Sequence, residues 1–219
     1  MDHGAFLTGK EIAERHAIEP IFAKNPEGKE TCDSDQLSKL EPNGKIMYDL
    51  RLGSEVYLST KDAPFKLSEL NPYLAIGPGE FAILMTYEFL HIPADLIGFI
   101  SLRFTWAGQG LINISGFHVD PTYKGYVVFS VYNAGPRNVV LKYMDRVFMI
   151  LFATLPRKVE KERSPGHKTL PLDIVSSVKG PPISLWSLDK RLKKLETRLE
   201  FFILIASTIL AALIALFFK

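Results

Sequence analysis

The residues best suited to chemistry lie between positions 102 and 133. Asp120 sits just before Pro121 and Thr122. An aspartate beside turn formers is fixed at a loop edge, where its carboxylate can accept a sugar hydroxyl. Tyr123 offers a flat apolar face for a sugar or a base, and Gly125 suits a place where the chain needs positive φ or a close approach. Upstream, Arg103 presents a planar fork of donors suited to phosphate oxygens. Taken singly, each has a plainer reading: Asp120 to Gly125 as a hairpin turn, Arg103 as a surface ion pair.

These residues need a scaffold of strands. From Ile46 to Thr154, short runs rich in Val, Ile, Phe and Tyr are punctuated by turn signals such as Gly77-Pro78-Gly79 and Ala134-Gly135-Pro136. That pattern predicts an all-β barrel or sandwich. Residues 5–18 read as a short helix capped near Thr8, and residues 24–44, polar and rich in Gly and Pro, as a loop. Residues 156–183 carry five prolines and read as an extended linker able to pack on the barrel.

Composition excludes several classes. The chain has 219 residues and a net charge of +2, so no basic field calls for DNA or RNA. One cysteine, Cys32, rules out an intrachain disulfide and a CxxC pair, and suits a reducing compartment. The five histidines show no HExxH or His-x-Glu spacing, so no zinc is expected. No P-loop, dinucleotide fingerprint, nucleophile elbow or internal repeat is present, and residues 1–10 lack the apolar core of a signal peptide.

The ordered motifs resemble the dCTP deaminase and dUTPase family. Tyr48-Asp49-Leu50-Arg51-Leu52-Gly53 resembles its Val-Asp-Leu-Arg-Leu-Gly opening. Thr86-x-Glu88 follows its strand rhythm, and Arg103-Phe104-Thr105 stands where it has Arg-Ser-Ser. Gly116 to Gly125 matches its Gly-Phe/Val-Ile-Asp-Pro-Gly-Tyr/Trp/Phe-x-Gly segment, with one extra residue between Gly116-Phe117 and Val119-Asp120. The likeness covers residues 45–155. It implies a distorted jelly-roll, a homotrimer with sites shared between subunits, and a nucleotide held by Arg103, Thr105, Asp120, Tyr123 and position 130. It implies no zinc; Mg2+ would arrive with a nucleotide triphosphate, and Asp49 is an indirect candidate for the metal.

Several positions depart from the family pattern. The family's water-activating Glu falls at Ser130, whose hydroxyl has no useful basicity near neutral pH. Phe104 replaces a hydrogen-bonding serine, and Gly108 replaces a second arginine. Met144 to Met149 lacks the Gly and Gln of a later motif, and residues 156–183 lack the glycine cluster that closes over phosphates.

Residues 201–218 form an uncharged run spanning roughly 27 Å as a helix, close to a bilayer's hydrocarbon thickness. Before it, Leu185, Leu188, Leu192, Leu195, Leu199 and Phe202 alternate steps of three and four, an a/d seam. The expected domains are 1–44, the β domain 45–155, the linker 156–183, a coiled-coil or surface-lying amphipathic helix 184–200, and a transmembrane helix 201–218. Basic residues before the span place the β domain on the cytosolic side of a single-pass C-terminal anchor. The leading functional reading is a membrane-anchored nucleotide-binding protein without dCTP deamination, serving as sensor or scaffold. The alternatives are an anchored deoxynucleotide triphosphate hydrolase or deaminase, with Asp120 orienting water, and a purely structural trimeric membrane scaffold.

Overall fold

A computed structural model describes residues 6–19, 23–24, 30–31, 46–161, 166–180 and 185–217. Most of the loop expected over 24–44, with Cys32, lies outside the described residues, as does residue 218 of the expected span.

Among the described residues the first element is α1 (Gly9–Glu14), then the two-residue strands β1 (Ile18–Glu19), β2 (Ala23–Lys24) and β3 (Glu30–Thr31). The main strands follow: β4 (Met47–Leu58), β5 (Phe65–Lys66), β6 (Tyr73–Ile76), β7 (Phe81–His91) and β8 (Leu96–Leu102). A one-turn helix α2 (Phe104–Ala107) leads to β9 (Leu111–Asn113), β10 (His118–Val119), β11 (Lys124–Asn133), β12 (Val139–Lys142) and β13 (Arg146–Thr154). Two helices, α3 (Leu172–Ser177) and α4 (Leu185–Phe217), complete the described chain. The protein is mainly β, a curled antiparallel sheet in the order β10-β8-β13-β4-β7-β11-β9, with β1 on β7 and β5 on β4. The segment between β9 and β10 bridges the two ends: Ile114 N–H donates to the Ser130 carbonyl (2.9 Å), and Ile100 N–H to the Phe117 carbonyl (2.7 Å).

Alternation along the strands builds the interior. Leu50, Leu52, Val56 and Leu58 of β4 meet Leu84 and Leu90 of β7, and Phe129 of β11 stacks on Phe148 of β13 at 3.6 Å. Gly53 is required where β4 shifts register against β7, since a Cβ there would sit 2.5 Å from the Thr86 carbonyl oxygen. On the opposite face of β4 and β7, Tyr57, Ile83 and Met85 form a second cluster with Leu170 and Val175. The described part of the Pro-rich segment, residues 166–180, therefore packs on the sheet and includes α3, a helix that composition does not predict. Gly166 N–H donates to the Lys124 carbonyl, Tyr126 N–H to the His167 carbonyl, and Leu170 N–H to Glu55 Oε2 (2.9 Å).

At α1 the expected cap at Thr8 forms with Glu11, whose carboxylate accepts from the Thr8 backbone N–H (2.7 Å) and hydroxyl (2.9 Å). Those bonds hold the Glu11 carboxyl below its usual range. Arg15 then ties the helix region to Asp95 at 2.9 Å. Burial pushes the Asp95 carboxyl up, but the Arg15 hydrogen bond and charge outweigh it, leaving the group below its ordinary 3.8. A depressed carboxylate adds stability above its unfolded pKa and loses it as pH falls through the folded value. The wild type is thus expected to lose up to about 1 kcal/mol more than Arg15→Ala on acidification below 3.8, read from thermal midpoints between neutral pH and about 3.

The helix α4 is one unbroken element running through both expected C-terminal helices, and the most apolar 18-residue window within its Arg191–Leu216 stretch has a mean hydropathy of 2.5 and is not buried against the described chain. It is long and apolar enough to cross a membrane.

Candidate functional site

The sheet order puts β13 between β8 and β4, and this places Asp49, Arg103 and Arg146 together. Asp49 lies on β4, Arg103 follows β8, and Arg146 opens β13. Arg103 N–H donates to the Val147 carbonyl (2.9 Å), and Trp106 Nε1 donates to the Arg146 carbonyl (2.8 Å), locking α2 onto β13. The Arg103 guanidinium pairs with Asp49 Oδ1, and Arg146 Nη1 lies 3.6 Å from Asp49 Oδ2. Both arginines remain about one-third exposed. Two guanidiniums on one carboxylate form a site suited to anionic oxygens. Arg146 is absent from the sequence-derived site set; its available signal is a charged residue opening an apolar strand. Thr105 is exposed in α2, its carbonyl accepting from Gln109 Nε2 (2.9 Å), and Phe104 beside it is 85% exposed.

Asp120, Tyr123 and Gly125 gather at a different place. Thr122 adopts a φ of 66°, and the turn is pinned by Thr122 N–H on the Ile92 carbonyl (3.0 Å) and Ile92 N–H on the Tyr123 carbonyl (2.8 Å). His118 Nε2 lies 3.3 Å from Asp120 Oδ1. The Tyr123 hydroxyl donates to the Tyr126 carbonyl (2.6 Å), and its ring is half-buried beneath Gly166, where a Cβ would lie 2.5 Å from the ring. Burial pushes the Tyr123 phenol up, so it remains a donor at neutral pH. Gly125 makes the close approach its type suggests: a Cβ there would meet Gly166 backbone at 2.7 Å.

These two groups stand at opposite ends of β8. Val119 pairs with Gly98 near the strand's start, whereas Arg103 follows its last residue. At about 3.4 Å per residue the separation is roughly 17 Å. Ser130 is elsewhere again, paired with Ile83, which itself pairs with Tyr57. Its neighbours Phe129 and Val131 point into the barrel, so Ser130 shares the face that carries the second cluster.

A buried network supports the β4 segment bearing Asp49. Glu88 is fully buried and Arg51 is 4% exposed. Arg51 donates from Nη1 to Glu88 Oε1 (3.1 Å) and from its backbone N–H to Oε2 (2.9 Å), while the Tyr48 hydroxyl donates to Oε1 (3.2 Å). Desolvation raises the Glu88 carboxyl above its ordinary range despite these bonds. The Asp-Leu-Arg and Thr-x-Glu motifs contain this pair, but nothing in their spacing marks them as partners. Among the described residues, no group of three His, Cys, Asp or Glu side chains is placed to hold a metal ion.

With this geometry in view, a family model described as dCTP deaminase-like matches residues 6–155. The chain belongs to the dCTP deaminase-like family. A dCTP deaminase of Pyrococcus abyssi is 34% identical over 116 residues, covering 53% of this chain and 71% of that protein. One of Thermococcus kodakarensis is 35% identical over 116 residues, covering 53% and 70%. Among solved structures, the Agrobacterium tumefaciens 2'-deoxycytidine 5'-triphosphate deaminase is similar with a TM-score of 0.49 at 14% identity, over 69% of this chain and 49% of that one. The native EIAV dUTPase gives 0.41 at 14% identity, over 74% and 97%. The β domain of this dCTP deaminase-like chain lies within the matched region, while α3 and α4 lie beyond it.

Proposed function

We propose that this chain is a membrane-anchored, nucleotide-binding member of its family that does not deaminate dCTP and acts as a nucleotide sensor or scaffold. The observation that carries this is Ser130, at the position where family resemblance expects the water-activating Glu. A serine hydroxyl cannot act as a general base near neutral pH. The carboxylates on and beside the adjacent β7 are committed elsewhere: Glu88 to Arg51, and Glu80 to the Thr60 hydroxyl and the Gly77 N–H.

Nucleotide binding is supported by Asp49, Arg103 and Arg146 and by Asp120 at its turn. Since Arg103 and Asp120 lie at opposite ends of β8, a site using both draws them from different copies, in keeping with a homotrimer. Magnesium would be carried by the triphosphate, whose oxygens supply ligands that the described residues do not gather. The helix α4 would be the anchor, with Arg191, Lys193, Lys194 and Arg198 at its cytosolic end.

The test is thermal unfolding of the full chain in detergent micelles with each deoxynucleoside triphosphate and magnesium. At least one should raise the midpoint, and Arg103→Ala should weaken that ligand at least about ten-fold through loss of charge-assisted bonds. No shift with any nucleotide would favour the purely structural scaffold. Pyrophosphate release abolished by Asp120→Asn would establish the hydrolase instead.

A further inference from the structure

The helix α4 carries a surface that nothing else in the described chain covers. Leu188, Leu192, Leu195 and Leu199 alternate steps of three and four before the apolar half, and each is 48–62% exposed. The same stepping continues through Phe202, Ala206, Ile209 and Leu213 within the long apolar half. One a/d seam therefore runs nearly the whole unbroken helix, without a phase change where the charged half meets the apolar half. Helix continuity also bears on orientation. If the apolar half crosses a membrane, the preceding turns project from it and do not lie flat on its surface.

The flanking charges select the occupant of this seam. With Leu192 and Leu199 at a, and Leu188 and Leu195 at d, the e positions are Asp189 and Glu196 and the g positions Arg191 and Arg198. In antiparallel copies g meets g and e meets e, setting arginine against arginine and acid against acid. In parallel copies g meets the following e of the neighbour, setting Arg191 against Glu196. The lateral charges outside the seam include an intrahelical pair, Lys193 to Asp189 at 2.8 Å. A membrane confines the copies to the same orientation and raises their local concentration, so a seam whose water-exposed part is short can close.

We propose that α4 is a parallel self-association helix, packing against further copies of this chain through one continuous seam with Arg191 facing Glu196 of the neighbour. The inference rests on the membrane-spanning reading of α4 and is independent of nucleotide binding.

The test uses the full chain with Cys32→Ser, reconstituted in phosphatidylcholine vesicles and mildly oxidised. Leu192→Cys at the seam should form disulfide-linked dimers at least about five-fold more than Thr197→Cys on the outer face, because disulfides need close Cβ atoms. In the Leu192→Cys background, Arg191→Glu should lower the yield, and adding Glu196→Arg should restore it. Equal yields at the two positions, or no dimer at either, would overturn the proposal in favour of a lone or surface-lying helix. A charge swap that fails to restore crosslinking would overturn the parallel register. Neither readout involves nucleotide, so failure here leaves the nucleotide-binding reading to its own test.

Discussion

Glu88→Ala is expected to lower the unfolding free energy by about 3–5 kcal/mol, because it leaves a buried guanidinium without its carboxylate. Arg51 is 4% exposed, and Glu88 accepts from both its side chain and its backbone. Glu88→Gln retains one acceptor oxygen, with its NH2 group facing the other donor, and should cost less than Glu88→Ala. Replacing both partners with apolar residues of similar volume, Arg51→Met with Glu88→Leu, should recover much of the loss. Burial raises the Glu88 carboxyl above its ordinary 4.5, so ionising it costs more in the fold than in the unfolded chain, and stability declines as pH rises from 4.5 through the folded value. Glu88→Gln should therefore flatten that part of the pH dependence. Urea midpoints of the full chain in detergent, measured at several pH values, check each expectation. The consequence reaches the site, since Asp49 stands between Tyr48 and Arg51 on β4 and depends on this network for its place.

A positioned general acid–base group contributes about 10²–10⁴-fold to rate. With Ser130 in place of the expected Glu, dCTP conversion should fall short of an active family member by at least that factor. Ser130→Glu alone should recover only part of it. Phe104 stands where the family pattern has a hydrogen-bonding serine, and Gly108 where it has an arginine. Ser130 also borders a face packed by Leu170 and Val175, so a glutamate there enters an apolar setting that raises its pKa.

The β class was legible because its alternation is a local signal: Leu50, Leu52, Val56 and Leu58 step by two on either side of the register shift. The cap at Thr8 was legible for the same reason, with Glu11 three residues on. The helix α3 was not, since six residues starting after Pro171 are held by Val175 buried on the sheet with Ile174 packed beside it. The site was legible in part. Asp49 and Arg103 could be named singly, but their ion pair depends on β13 lying between their strands. That topology is long-range and also adds Arg146. The separation of Arg103 from Asp120 follows from the pairing of β10 with β8, which no local spacing encodes. The sequence offers Tyr123 as a flat apolar face for a sugar or a base; in the fold its ring lies beneath Gly166, a contact made by a segment more than forty residues downstream.

A retained family fold without deamination chemistry has a plain readout: the full chain is incubated in detergent with dCTP and magnesium, and dUTP and ammonia are measured. Neither product is expected above the no-protein control, while at least one nucleotide should still raise the thermal midpoint. Ammonia release that rises with protein concentration and disappears in Asp120→Asn would contradict it.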